Sequence, residues 1–406
     1  MGDEFAVSDE FFDGQTLRAA SAALFGGADI GECIAIARRV RNGDLDSWHT
    51  EWFAAAEKAF ALGEEAEAAG QGETARLAFL RACTYFRTAG IVYLAQPVDP
   101  RLPESLARQR DAFRRAIPHQ SAVIVPVEIP FDGIMLPGYH YRVADDGRQR
   151  PTVILVDGYD GTVEELYFGN AQAALDRGYD VLAFDGPGQG SVLIEQGVHL
   201  RPDWENVLPS VVDWVVAQPT TDPERIAVIG WSLGGFLAPR GASGERRLAA
   251  CIADANLYDM FDIAVSRMPA AVRGEIPDGN RVAIATVQTM LDTTMRRPTE
   301  GWSFRRGLYV HGVETGIDYI RDMRGYTLNG FAEQIACPTL ICRGESDDVS
   351  ETASLTFDAL TCPKEFIEFR DADGAGGHCE MGARQLYLAR AYGWLDAILQ
   401  PERAVA

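Results

Sequence analysis

Positive charge is scarce in this chain. Lys and Arg number 37 against 59 Asp and Glu, so the 406 residues carry a formal net charge of −22. A surface of that sign repels nucleic acid and anionic membranes, and neither is expected as a partner. Paired cysteines are also lacking. Cys33, Cys83, Cys251, Cys337, Cys342, Cys362 and Cys379 form no CxxC and no disulfide-like spacing. An odd, scattered set points to reduced thiols and the cytoplasm. The opening MGDEFAVSDEFFDG is acidic where a secretory signal would be basic. No stretch approaches the roughly 18 uncharged apolar residues of a membrane span. No His, Cys and Asp cluster has metal-ligand spacing, so neither a metal nor another cofactor is implied. Asp185-Gly186-Pro187-Gly188-Gln189-Gly190 is glycine-rich. It lacks both the Lys-Ser/Thr of a phosphate loop and the G-x-G-x-x-G of a dinucleotide site, and reads as a structural turn. What remains is a protein whose expected partner is a small molecule.

The chain has ample material for a core, with 47% hydrophobic residues, and is long enough for one large or two ordinary domains. Residues 1–120 read as a helical domain. Ser47 is a plausible N-cap for a helix carrying Trp48, Trp52, Phe53, Ala56 and Phe60. Gly70-Gln71-Gly72 breaks it, a second helix carries Leu77, Leu80, Tyr85 and Phe86, and a third spans Glu104 to Ile117. The texture changes at Ser121. Residues 122–129 and 133–141 read as an antiparallel pair, after which strands and helices alternate. Strands are expected at 152–156, 180–184, 225–229, 248–253, 338–342 and 365–369, and helices at 163–177, 204–217 and 386–399. From about 255 to 335 the texture is helical with no clear strand, an insertion expected to cap a site.

The chemistry centres on Gly230-Trp231-Ser232-Leu233-Gly234-Gly235. It follows the apolar run Ile226–Ile229 and precedes a short helix start that Pro239 is expected to limit or kink. G-x-S-x-G between a strand and a helix is a nucleophile elbow, with the serine hydroxyl at the tip of a tight turn. A serine needs a base, and the base needs an orienting acid. Two histidines follow the elbow, His311 in the expected cap and His378 in the glycine-rich loop Gly374–Glu380, where a base is expected. The acid falls in Gly344-Glu345-Ser346-Asp347-Asp348; Gly-x-x-Asp spacing selects Asp347, with Asp348 as the alternative. Two backbone donors are needed for an oxyanion. These are Leu233 N–H and, from the loop after the 152–156 strand, Tyr159 N–H, with Asp160 next. Trp231 and Tyr159 are read either as pocket lining or as packing. Asp160 and Asp254 are tentative pocket residues.

The elbow, the DGPGQG turn, the GAGGHCE loop and the segment Gly43-Asp44-Leu45-Asp46-Ser47-Trp48-His49-Thr50-Glu51-Trp52 together resemble the 2,6-dihydropseudooxynicotine hydrolase branch of the α/β-hydrolases. That branch includes fungal enzymes that shorten polyketide chains. The resemblance covers nearly the whole chain and implies an α/β-hydrolase fold, a mostly parallel sheet flanked by helices, over residues 121–406. It implies a triad of Ser232, Asp347 and His378, hydrolysis of a carbon–carbon bond beside a ketone, and a homodimer with the N-terminal helices helping to close the site. An additional acidic residue is also implied, with Asp254, Asp259 and Asp262 in the matching region.

The expected function is therefore a serine hydrolase of a small ketone, β-diketone-like or an acyl-arene, acting through an acyl-serine. The same triad serves a carboxylesterase, a thioesterase or an acyltransferase. A non-catalytic binding protein on a hydrolase scaffold is a rival of another class, against which the intact Ser, Asp and His argue. A dehalogenase or epoxide hydrolase would carry Asp in place of Ser232.

Overall fold

A computed structural model of the protein describes residues 4–266, 268 and 279–401. Five helices come first: α1 (Glu10–Ser21), α2 (Ile30–Ala37), α3 (Leu45–Ala68), α4 (Gly72–Gly90) and α5 (Arg101–Ala116). The N-cap of α3 is Asp44, whose carboxylate accepts the Ser47 N–H at 2.8 Å. Ser47, the expected cap, lies inside the first turn, and its hydroxyl accepts from Arg41 N–H instead. A carboxylate both caps and favours the positive end of the helix dipole, which explains the preference for Asp44. Trp48, Trp52, Ala56 and Phe60 recur every four residues and are buried along one face. Trp48 stacks on Phe12 of α1 at 4.6 Å and donates its indole N–H to Thr88 O of α4 at 2.7 Å. One side chain thus ties three helices.

Eight strands form a single sheet in the order β1-β2-β4-β3-β5-β6-β7-β8. They are β1 (Val123–Phe131), β2 (Ile134–Arg142), β3 (Arg150–Val156), β4 (Asp180–Phe184), β5 (Thr221–Trp231), β6 (Leu248–Asp254), β7 (Thr339–Gly344) and β8 (Lys364–Phe369). Strand β2 is antiparallel to both neighbours, and from β4 to β8 all pairs are parallel. The central strands read as unbroken apolar runs because helices cover both faces; Val153, Ile154, Leu155 and Val156 are fully buried.

Two expected helices are shorter than their sequence pattern. In place of a helix over 163–177 there is a wide π-turn at Tyr167–Ala171 followed by Gln172–Leu175. Gly169 sits in that turn, where an added Cβ would lie 2.6 Å from the Trp231 ring, and its carbonyl accepts from Arg384. Packing against the elbow overrides the local pattern. The helix expected from Trp204 begins at Leu208, with Pro209 in its first turn. The helix after the elbow runs Gly234–Gly244 straight through Pro239.

Between β6 and β7 the described residues are helical: Met260–Ser266, Arg281–Met295, Trp302–His311 and Gly316–Asp322. Val287, Leu291, Ile317 and Ile320 give this cap a small core of its own. It is bound to the N-terminal helices, since Trp302 Nε1 donates to Ile91 O at 3.1 Å and the Phe11 ring lies 4.5 Å from that of Trp302.

Because Trp48 fills a closed site and cannot be replaced by solvent, Trp48→Ala is expected to cost about 3–5 kcal/mol. Thermal unfolding should show a correspondingly lower midpoint than for the surface control Val282→Ala.

Candidate active site

The β5 strand ends in a turn so tight that Ser232 adopts φ +60°. Backbone crosses backbone there: a Cβ on Gly230 would lie 1.8 Å from Gly234 O, and one on Gly234 would lie 2.2 Å from Val156 O. No larger residue fits either position. The turn projects Ser232 beyond the carboxyl edge of the sheet, where ligand sites of such sheets form. Its Oγ lies 2.8 Å from Nε2 of His378, in the loop after β8. Nδ1 of His378 lies 3.0 Å from each carboxylate oxygen of Asp347, in the loop after β7. Asp347 rather than Asp348 therefore meets the imidazole, and Asp348 faces the surface. The Asp347 carboxylate also accepts from Ser350 Oγ at 2.7 Å and Val349 N–H at 3.0 Å. Those bonds fix it in place.

The charges follow from these contacts. Burial disfavours ionised Asp347, but hydrogen bonding and charge from His378, with Ser350 and Val349 added, outweigh it and hold the carboxyl below its ordinary value. Burial likewise disfavours the imidazolium, yet Asp347 directly, and Asp254 and Asp160 at longer range, raise His378 above its ordinary 6.5. The Asp347 side chain is 2% exposed while that of His378 is 40% exposed, opening onto a cavity.

That cavity has a volume of about 780 Å³. Ser232, Leu233, Tyr159 and His378 form part of its floor, and residues of α1 and of the cap helices line much of the rest. Its walls are largely apolar, with Met260, Met290, Met323, Leu291, Phe304 and Trp302 prominent. The loop after β3 lies directly against the serine, since a Cβ on Gly158 would be 2.8 Å from Ser232 Cβ. Gln189 of the DGPGQG turn fixes this loop by donating to Asp157 O at 2.6 Å and Gly158 O at 3.2 Å. Among the described residues neither Leu233 N–H nor Tyr159 N–H donates to a protein acceptor.

Trp231 lines the cavity and is also packed, its ring under the Arg384 guanidinium at 5.1 Å. Asp160 lies at the cavity edge in ion pairs with Arg18 and Arg306, both at 2.8 Å. Asp254, a tentative pocket residue, is not part of the cavity wall. It is fully buried behind the site, pairing with Arg384 at 2.9 Å. Arg384 also reaches Glu380 at 3.3 Å and the Cys379 carbonyl at 3.0 Å, next to His378. Burial, and then the charge of Asp254, pushes the Glu380 carboxyl well above its usual range. Asp259 and Asp262 do not line the cavity either; Asp259 accepts the Asp262 N–H at a helix start. His311 pairs with Asp322 at 2.6 Å inside the cap, its ring 5.6 Å from that of Tyr159. Gln15, Arg18, Arg306 and Tyr319 line the cavity without belonging to any motif legible in the sequence. They come from α1 and the cap, whose directions only the fold determines.

A model of the alpha/beta hydrolase family matches residues 134–390. The chain belongs to the alpha/beta hydrolase family. It is 36% identical to the hydrolase LUC6 of a Fusarium species, over 95% of this chain and 96% of that one. It is 35% identical to the 20-hydroxy-prefusarin hydrolase FUS2 of Gibberella moniliformis, over 98% and 99%. Among solved structures it resembles 2,6-dihydroxy-pseudo-oxynicotine hydrolase, with a TM-score of 0.75 at 23% identity over 95% of this chain and 97% of that one. The last likeness extends the shared alpha/beta hydrolase fold to the N-terminal helices.

Arg384 is the one cation in contact with the buried Asp254 among the described residues. Arg384→Gln strands that charge and is expected to cost about 3–5 kcal/mol. Denaturant unfolding should show it as a lower midpoint.

Proposed function

We propose that this alpha/beta hydrolase is a serine hydrolase that cleaves a small ketone through an acyl-serine intermediate. The observation that carries the reading is the hydrogen-bonded series Ser232–His378–Asp347 opening onto a large, mostly apolar cavity. His378 Nε2 takes the Ser232 proton as Oγ attacks the carbonyl carbon, and Asp347 stabilises the imidazolium that forms. The tetrahedral oxyanion accepts from the Leu233 and Tyr159 N–H groups. Collapse expels the leaving group, His378 supplies its proton, and water activated by the same imidazole releases the acid.

A carbon leaving group departs only as a stabilised anion. The ketone is accordingly β-diketone-like, leaving an enolate, or an acyl-arene, leaving an electron-rich ring. The similarity to a protein named 20-hydroxy-prefusarin hydrolase supports a small organic substrate, and so does the apolar wall. Esters are the second reading, because the same machinery expels an alkoxide more readily. The reading includes a cytoplasmic homodimer, with α1 and the cap helices closing the site of each protomer. The cysteines support the compartment, for all seven are unbonded and six are buried.

A fluorophosphonate probe is expected to label Ser232, and Ser232→Ala is expected to lose about 10³-fold or more in kcat/KM on an aryl ester and a β-diketone alike. An undiminished rate in that variant would sink the reading; turnover of the ester alone would favour the esterase. For pH, the reaction needs neutral His378, whose pKa lies above 6.5 in the folded protein. The rate should therefore rise with pH through an inflection above that value. Asp347→Asn removes the group that raises it, so the inflection should move down and the maximal rate fall by about 10⁴-fold.

A further inference from the structure

A cluster of ion pairs borders the cavity at Arg18, Asp160 and Arg306 and extends behind it to Arg87 and Glu165. Arg18 pairs with Asp160 at 2.8 Å and Glu165 at 2.6 Å, and Arg87 with Glu165 at 3.2 Å. Arg306 joins them from the cap, donating Nη1 to Asp160 Oδ2 at 2.8 Å. Three guanidiniums thus face two carboxylates. Asp157, the nearby acid that would balance them, is fully buried, and burial followed by the charge of Glu165 pushes its carboxyl well above the usual range, towards the neutral form.

Two residues at this cluster keep unused donors. Arg306 lines the cavity beside Tyr159, its guanidinium 4.2 Å from that ring, and neither Nε nor Nη2 has a protein acceptor among the described residues. Gln15, on α1, accepts from Arg87 Nη1 through Oε1 at 3.0 Å. An arginine only donates, so that contact fixes the amide orientation and leaves the NH₂ group for another partner. Gln15 lines the same cavity, and no protein group among the described residues accepts from its NH₂. A surplus cation with free N–H groups, at the rim of an apolar chamber, has the chemistry of a carboxylate subsite.

We propose that Arg306 and Gln15 form a subsite for a carboxylate carried by the substrate, on the side of the cavity where Asp160 joins α1 to the cap. This rests on the hydrolase reading only for the statement that the ligand is a substrate. The substrate class becomes an acyl compound with an apolar body and an acid group remote from the carbon attacked. Asp160 and Glu165 hold the guanidiniums in place before the substrate arrives, so little ordering is needed on binding. A neutral acceptor at the same position gains only an uncharged hydrogen bond, roughly half as strong.

The test is binding to the Ser232→Ala protein, in which no turnover intervenes. The ligands are p-nitrophenyl half-esters of the straight-chain diacids from glutarate to suberate, each paired with its terminal-amide isostere. Calorimetry should give an affinity for the best carboxylate about tenfold or more above that of its amide, weakening as salt is added. Adding Arg306→Gln should bring the ratio close to one, and Gln15→Leu should lower it by a smaller factor. Equal affinity for acid and amide across the whole series overturns the proposal, as does a preference that survives Arg306→Gln. Should that variant fail to fold, the acid-to-amide ratio and its salt dependence in Ser232→Ala alone decide the matter. Failure of the serine mechanism would show separately, as absence of fluorophosphonate labelling in the native protein.

Discussion

Everything at this site depends on one residue being held in a conformation it does not favour. Ser232 at φ +60° occupies the left-handed region, which costs a non-glycine residue about 1–3 kcal/mol. It stays there because β5 and the helix after it cross at Gly230 and Gly234, with no space for a side chain at either. The same crossing brings the β3 loop against the serine through Gly158. Other left-handed non-glycine residues stand close by: Ala255 after β6, and Cys379 and Glu380 after His378. Strain is concentrated at the carboxyl edge of the sheet, and the buried Arg384–Asp254–Glu380 cluster beneath it holds the loops that carry it.

The second organising feature is Asp160. It accepts from Arg18 of α1 and Arg306 of the cap, and its backbone carbonyl accepts from Arg87 of α4. Three separate parts of the chain therefore converge one residue from Tyr159. Residues of α1 and of the cap line the same cavity, and the two elements are coupled through the Asp160 carboxylate.

Much of this was legible in the sequence because its signals are local. The elbow, the apolar central strands and the glycine-rich loop around His378 are short patterns tied to backbone geometry. The α/β-hydrolase fold and family followed from them. Turn spacing selects Asp347 over Asp348, and the structure buries Asp347 beside His378 and exposes Asp348. Features set by tertiary contact were less legible. Ser47 looked like a cap, yet Asp44 one turn earlier takes that role. The region 163–177 carried a helical pattern that packing of Gly169 on Trp231 turned into a π-turn. Asp254 lay in the right region for a pocket acid, but its side chain points into the protein to Arg384. Arg306 and Gln15, separated by most of the chain, belong to no motif, and only the docking of cap on α1 makes them neighbours of one cavity.

The proposed serine hydrolase chemistry stands or falls on the covalent role of Ser232. Rapid-quench mass spectrometry of the enzyme turning over a slow acyl substrate tests it most directly. A transient mass increase equal to the acyl half of the substrate is expected on the peptide containing Ser232, forming and decaying at rates consistent with turnover. Steady turnover without any acyl mass on that peptide, under quench conditions that preserve an ester, would contradict it.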